Sequence, residues 1–253
     1  VHKAVHTTIS LTLIIGLIGT VVGIVLAPIM LTLMKTPQDV FVEAKAYLQT
    51  YFGGISGLML YNMGSGILRA VGDSRRPLYF LVFSSCVNIV LDLLFVLGFH
   101  MGVEGVAYAT IIAQFSSAAL IYITLYRTHD VHRFQPKKLR IYPEMVRSII
   151  RVGLPAGLQQ ALTSFSNVFV QGYINSFGTN CVAGWSCYHR IDQFILLPMQ
   201  SISLASTTFV GQNLGRNQPE RARQGVSVAL KMALCATVIM MIPLLIFAAP
   251  IVS

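Results

Sequence analysis

LLPMQSISLASTTFVGQNLGRNQPERARQGVSVALKMALCATVIMMIPLLIF, residues 196–247, decides the fold. Two runs too apolar for an ordinary soluble surface flank a short polar centre, GQNLGRNQPERAR (211–223), with three arginines and one glutamate. The pattern predicts two long helices joined by a tight turn. Gly211 and Gly215 are the expected turn formers, and Pro219 followed by Glu220 suits the first turn of the next helix. The centre lacks the lysine-threonine ending of a phosphate-binding loop, so its glycines speak for a turn rather than a nucleotide site.

Outward from this hairpin the whole chain has the same character. Of 253 residues, 55% are hydrophobic and 11% charged, whereas soluble domains carry roughly 25% charged residues. A spanning helix needs about 20 mostly apolar residues. Seven segments qualify: Thr7–Met34, Ala46–Val71, Leu78–Phe99, Val103–Tyr126, Ile149–Phe177, Cys181–Phe209 and Gly225–Val252. Open sheet edges are excluded from hydrocarbon, so the fold class is all-α, a polytopic membrane helix bundle. The net charge of +9 does not indicate nucleic acid, because no aromatic residues interleave the basic ones and no groove-reading helix carries them. Cys86, Cys181, Cys187 and Cys235 have no metal or redox spacing.

Alternating the direction of seven helices sorts the connections to two sides. One side collects Lys3, Arg69, Arg75, Arg76, Arg127, Arg133, Lys137, Lys138, Arg140, Arg147, Arg151, Arg216, Arg221 and Arg223, which is 14 of the 18 basic residues. The other holds Lys35 and Lys45, and Arg190 and Lys231 lie in or near spans. The asymmetry places the basic loops, including 128–147 and 211–223, in the cytoplasm.

The chain also repeats. Shifted by 222 residues, Leu26–Ile29 (LAPI) falls on Ala248–Ile251 (AAPI), each closing an apolar run that follows a basic start. Pseudo-symmetry of helical bundles marks secondary transporters. Three parts are expected: 1–127 as the end of one lobe, 128–147 as the connecting loop, and 148–253 as the start of the next lobe. The start, VHKAVHTT, and the apolar end, AAPIVS, read as cuts through a longer protein.

Several motifs resemble one family. Val210–Arg223 is similar to the GQ-x-x-G loop after the second helix of each lobe in multidrug and toxic compound extrusion (MATE) transporters of the prokaryotic branch. RAVGDSRRPLYF (69–80), NIVLD (88–92), MGVEGVAYAT (101–110) and RVGLPAGLQQ (151–160) follow in the family's order. The resemblance implies helices three to nine of a twelve-helix protein with two pseudo-symmetric lobes. It implies a protein monomeric when complete, set among lipids in a bacterial inner membrane, with no cofactor. Inward flow of H+ or Na+ would drive export of cationic or amphipathic drugs and toxic organic cations by alternating access.

Asp92 stands out on physical grounds, since a carboxylate within a span is costly and is a functional hypothesis by default. Asn88 and Ser85 lie one and two turns before it on the same face. Asp92 could titrate, coordinate sodium, or bond to Asn88 as interhelical glue. By resemblance, Asn88, Asp92 and Thr110 match three members of the N-lobe ion-coupling site, and a fourth, a first-helix aspartate, would lie upstream. Tyr61 could face the same site. In the later half the resemblance breaks: AGLQQALTS (156–164) has no acid where some relatives carry glutamate. Asp192 remains there as a substrate, titrating or pairing group. Arg190, two residues away, points to a nearly opposite face. Gln160, Ser164, Asn167, Gln171 and Asn175 recur at helical spacing and suit a cavity wall. Thr110, Gln114 and Ser117 form a shorter stripe.

The second reading is a lipid-linked precursor flippase of the same superfamily. Anionic headgroups would need several cavity cations, and only Arg190 and Lys231 are candidates. An enzyme is disfavoured: His2, His6, His100, His129, His132 and His189 make no ligand spacing, and Asp92 and Asp192 sit in different halves.

Overall fold

The computed structural model describes residues 1–33, 38–130 and 132–252. Lys35 lies outside them, as do the side chains of Ala248–Ile251. Helices run over α1 (His2–Leu33), α2 (Gln38–Ala70), α3 (Arg75–Leu93), α4 (Gly102–Arg127), α5 (Pro143–Asn175), α6 (Thr179–Gly215) and α7 (Pro219–Val252). Each of the seven expected spans falls on a helix over most of its described length, with Met34 outside the described residues. By length and composition five can cross a membrane: His2–Thr32, Arg75–Gly98, Gly102–Arg127, Cys181–Gly215 and Pro219–Ile242. α2 and α5 are as long, 33 residues each, but more polar. The chain divides into two compact units, Val1–Arg151 and Val152–Ser253.

In the first unit α1 packs on α2, α2 on α4, and α4 on α3. Each approach is close because small residues line it. α1 sets Gly16 and Gly23 against α2 and encloses Ala27 fully, while Leu17, Ile18 and Val25 stay exposed. A Cβ on Gly23 would lie 2.2 Å from the Phe52 ring, and one on Gly54 would lie 2.3 Å from Ile111. Leu68, Ile121 and Leu125 form a buried cluster near the ends of α2 and α4, with Tyr61, Tyr122 and Phe134 against it.

The polar connection after α4 is tied to α1. The Phe134 N–H donates to Leu125 O (2.9 Å) and the Gln135 N–H to His6 Nε2 (3.2 Å). The Tyr142 N–H donates to Thr7 Oγ1 (3.2 Å). His6 and Thr7 are fully buried. α5 begins at Pro143, so 143–147 belong to a helix and the expected 128–147 loop is shorter.

In the second unit α6 packs on α7. The turn between them corrects the expectation about glycines. α6 continues through Gly211 to Gly215, and the left-handed residue is Asn217 (φ 54°). The Asn217 and Gln218 N–H groups donate to Leu214 O (3.0 Å) and Asn213 O (2.9 Å), closing the helix. Asparagine tolerates this conformation, so the cap needs no glycine there. Gly225 instead gives room for the Phe209 ring, whose atoms would lie 2.4 Å from an added Cβ.

Candidate functional site

The site is built on the α3–α4 hairpin. Ser84, buried, donates from Oγ to Ala113 O across the hairpin at 2.7 Å. This bond sets the antiparallel register: one turn along α3, Asn88 comes level with Ala109 and Thr110, and another turn brings Asp92 level with Gly105 and Val106. α4 offers only small residues here, with Gly105, Ala109 and Ala113 all buried. Phe95 closes the far end, its Cβ 3.0 Å from where a Cβ on Gly105 would stand.

Two atoms in this seam stand out. Asn88 Nδ2 and Asp92 Oδ1 are buried, and neither has a hydrogen-bond partner among the described residues. They lie one helical turn apart, yet do not satisfy each other. Leaving such a group unpaired costs about 1–3 kcal/mol, more for a charged one, so the glue role does not describe this arrangement. Two residues beyond Asp92 the helix widens into a π-helical turn, Leu94–Gly98, with Phe99 N–H donating to Leu94 O (3.0 Å). Such turns recur at functional sites.

Thr110, half-buried, donates to Val106 O (2.9 Å), which leaves its oxygen lone pairs available. Gln114 is half-buried one turn further along, its backbone carbonyl accepting from Ser117 Oγ (2.8 Å). Tyr61 is placed elsewhere: its hydroxyl donates to Pro77 O (3.0 Å) and its ring packs on the Leu68 cluster. Pro77 is eleven residues before Asn88, about 16 Å at 1.5 Å per residue. Ser85 is exposed and bonded back to Leu81 O (3.0 Å). Ser84, absent from the sequence reading, is the serine that faces α4. Nothing local distinguishes the two, because only the packed neighbour selects a face. The π turn likewise has no clear sequence signal beyond Gly98.

In the second unit Gln160, Ser164 and Asn167 lie exposed along α5, and Gln171 Nε2 donates to Asn175 Oδ1 (2.9 Å) one turn on. Asp192 is half-buried in α6 with no ion pair among the described residues, and Arg190 is exposed. The α5 stripe and Asp192 are therefore separate features, unlike the Asn88–Asp92 pair.

The MatE family model matches residues 1–94 and again 155–253. The chain belongs to the MatE family. The two matches fall in two separate stretches of the chain. The chain is 36% identical over 194 residues to the probable multidrug resistance protein YpnP of Bacillus subtilis, covering 76% of this chain and 43% of that protein. Among solved structures, a MATE transporter in the bent conformation aligns with TM-score 0.90 and 27% identity over 98% of this chain and 56% of that one. A MOP superfamily transporter from Pyrococcus furiosus, described as having a binding pocket of reverse polarity that suggests a different function, aligns with TM-score 0.91 and 25% identity over 99% and 56%. The MatE chain thus spans about half the length of the relatives it matches. It is an all-α, multi-pass membrane protein with the helix arrangement of MATE transporters.

Proposed function

We propose that this chain is part of a secondary active multidrug exporter, in which inward movement of H+ or Na+ drives outward movement of cationic or amphipathic organic compounds. One observation carries the reading: Asn88 Nδ2 and Asp92 Oδ1 are buried and unpartnered in a membrane-spanning helix. A carboxylate kept there without a partner has a use for the free acceptor, and a small cation or a proton satisfies it. In this reading Asn88, one turn before Asp92, and Thr110, level with Asn88 on α4, are the polar neighbours of that ion. Occupation changes the charge of the seam, and a charge change inside hydrocarbon biases one packing of α3 on α4 over another. The name of the Bacillus relative, a probable multidrug resistance protein, supports the choice of substrate class.

Residues 1–127 and 148–253 then belong to two lobes joined by the 128–147 segment, with the basic loops on the cytoplasmic side of a bacterial inner membrane. Asp192 and the α5 stripe of Gln160, Ser164, Asn167 and Gln171 are the substrate-facing candidates, alongside Gln114. Tyr61 serves packing. The protein acts as a carrier, with the ion and the drug both transported and no bound cofactor. The test is efflux of a cationic dye from proteoliposomes holding the complete protein, with a proton or sodium gradient imposed in turn. Export driven by either gradient supports the reading. Dye movement indifferent to both gradients contradicts it.

A further inference from the structure

A second polar site lies away from Asp92, at the other end of the α3–α4 hairpin. The first turns of α3, the last turn of α4 and the residues after it border an open cavity of about 540 Å³. Arg76, Arg127 and His129 line it with Thr128, and Phe80 and Ile123 form an apolar wall. No carboxylate lines it. The acids nearest in sequence are already engaged: Asp73 Oδ2 lies 3.3 Å from Arg76 Nε, and Asp130 accepts from Thr128 Oγ1 at 3.4 Å. Arg127 and His129 have no ion-pair partner among the described residues. Arg76 and Arg127 line the same space, and Arg127 has no ion pair among the described residues, so cationic donors are available there.

The location selects the ligand. Around Arg127 the chain passes from the apolar Ile121–Leu125 turn to the polar THDVHR segment (128–133), which is where a spanning helix leaves the membrane. A cavity with basic groups on one side and Phe80 and Ile123 on the other matches a molecule that is anionic at one end and apolar at the other. Guanidinium groups match phosphate oxygens in a two-pronged geometry. Basic pockets between membrane helices are known seats for anionic lipid headgroups.

We propose that this cavity binds the phosphate of an anionic glycerophospholipid, with its glycerol and upper acyl region against Phe80 and Ile123. The site does not depend on the transport reading, and it uses none of the residues assigned to ion coupling.

Native mass spectrometry of the purified protein tests it, with phosphatidylglycerol, phosphatidylcholine and inorganic phosphate offered separately. Retention of one phosphatidylglycerol in preference to phosphatidylcholine is expected. The Arg76→Gln/Arg127→Gln double variant is expected to bind it about thirtyfold more weakly, from two headgroup-facing arginines. Arg216→Gln/Arg223→Gln, a pair in the α6–α7 turn outside the cavity, leaves binding unchanged. Should the first double variant lose its helical circular dichroism, Arg127→Gln alone, at a residue without an ion pair, is expected to weaken binding about fivefold. Equal retention of both lipids overturns the proposal. So does an equal loss in the α6–α7 pair, or binding of inorganic phosphate as tight as that of the lipid.

Discussion

Replacing His6 by leucine isolates the fastening of the connecting segment to α1. In the folded chain the Gln135 N–H donates to His6 Nε2 at 3.2 Å. With Nε2 accepting, Nδ1 donates to His2 O at 3.0 Å. Leucine keeps an apolar body near Phe134 but removes the acceptor. An unsatisfied donor costs about 1–3 kcal/mol when fully buried. Gln135 is only half-buried, so water recovers part of that, and about 1.4 kcal/mol remains. That is a factor of about ten in the local opening equilibrium. Hydrogen exchange of the 132–142 segment, read by mass spectrometry, is expected to quicken about tenfold while α2, α3 and α4 keep their wild-type protection. Thr7→Val, which deletes the acceptor for the Tyr142 N–H, is expected to affect the same segment. Exchange within twofold of wild type in both variants would refute the reasoning, as would equal acceleration in every helix.

Other substitutions separate packing from transport. Gly54→Ala brings a Cβ within 2.3 Å of Ile111 Cγ1 and 3.1 Å of its Cβ, so α2 and α4 must part. A loss of about 1–3 kcal/mol is expected as a lower melting temperature in detergent. Ser84→Ala removes the 2.7 Å bond to Ala113 O and is expected to cost about 1 kcal/mol by the same measurement. Tyr61→Phe deletes only the bond to Pro77 O, and dye efflux is expected to continue at the wild-type rate. A clear drop in efflux by a well-folded Tyr61→Phe protein would return Tyr61 to the transport site.

What could be read from the sequence follows from how local each determinant is. A run such as Leu11–Met30 announces a spanning helix because every residue contributes to its hydropathy. Pro219 marks the start of α7 because its ring suits a first turn. The Asn88–Asp92 pair is legible for the same reason, being two polar residues one turn apart in an apolar helix. Features that depend on partners were out of reach. Asn217 rather than a glycine makes the α6–α7 cap, since either residue suits a left-handed turn. Ser84 rather than Ser85 meets α4, and Tyr61 turns to Pro77, because distant neighbours choose the face. His6 has no metal-ligand spacing, and its work, holding a segment 129 residues away, has no local signature.

The ion-coupling role of Asp92 is tested most directly by efflux from proteoliposomes carrying the complete protein with Asp92→Asn. The change keeps the size of the side chain and replaces the carboxylate by an amide. Gradient-driven dye export is expected to fall to the protein-free background, with helical content and dye binding unchanged. Export at the wild-type rate under the same gradients would contradict the account and remove Asp92 from the mechanism.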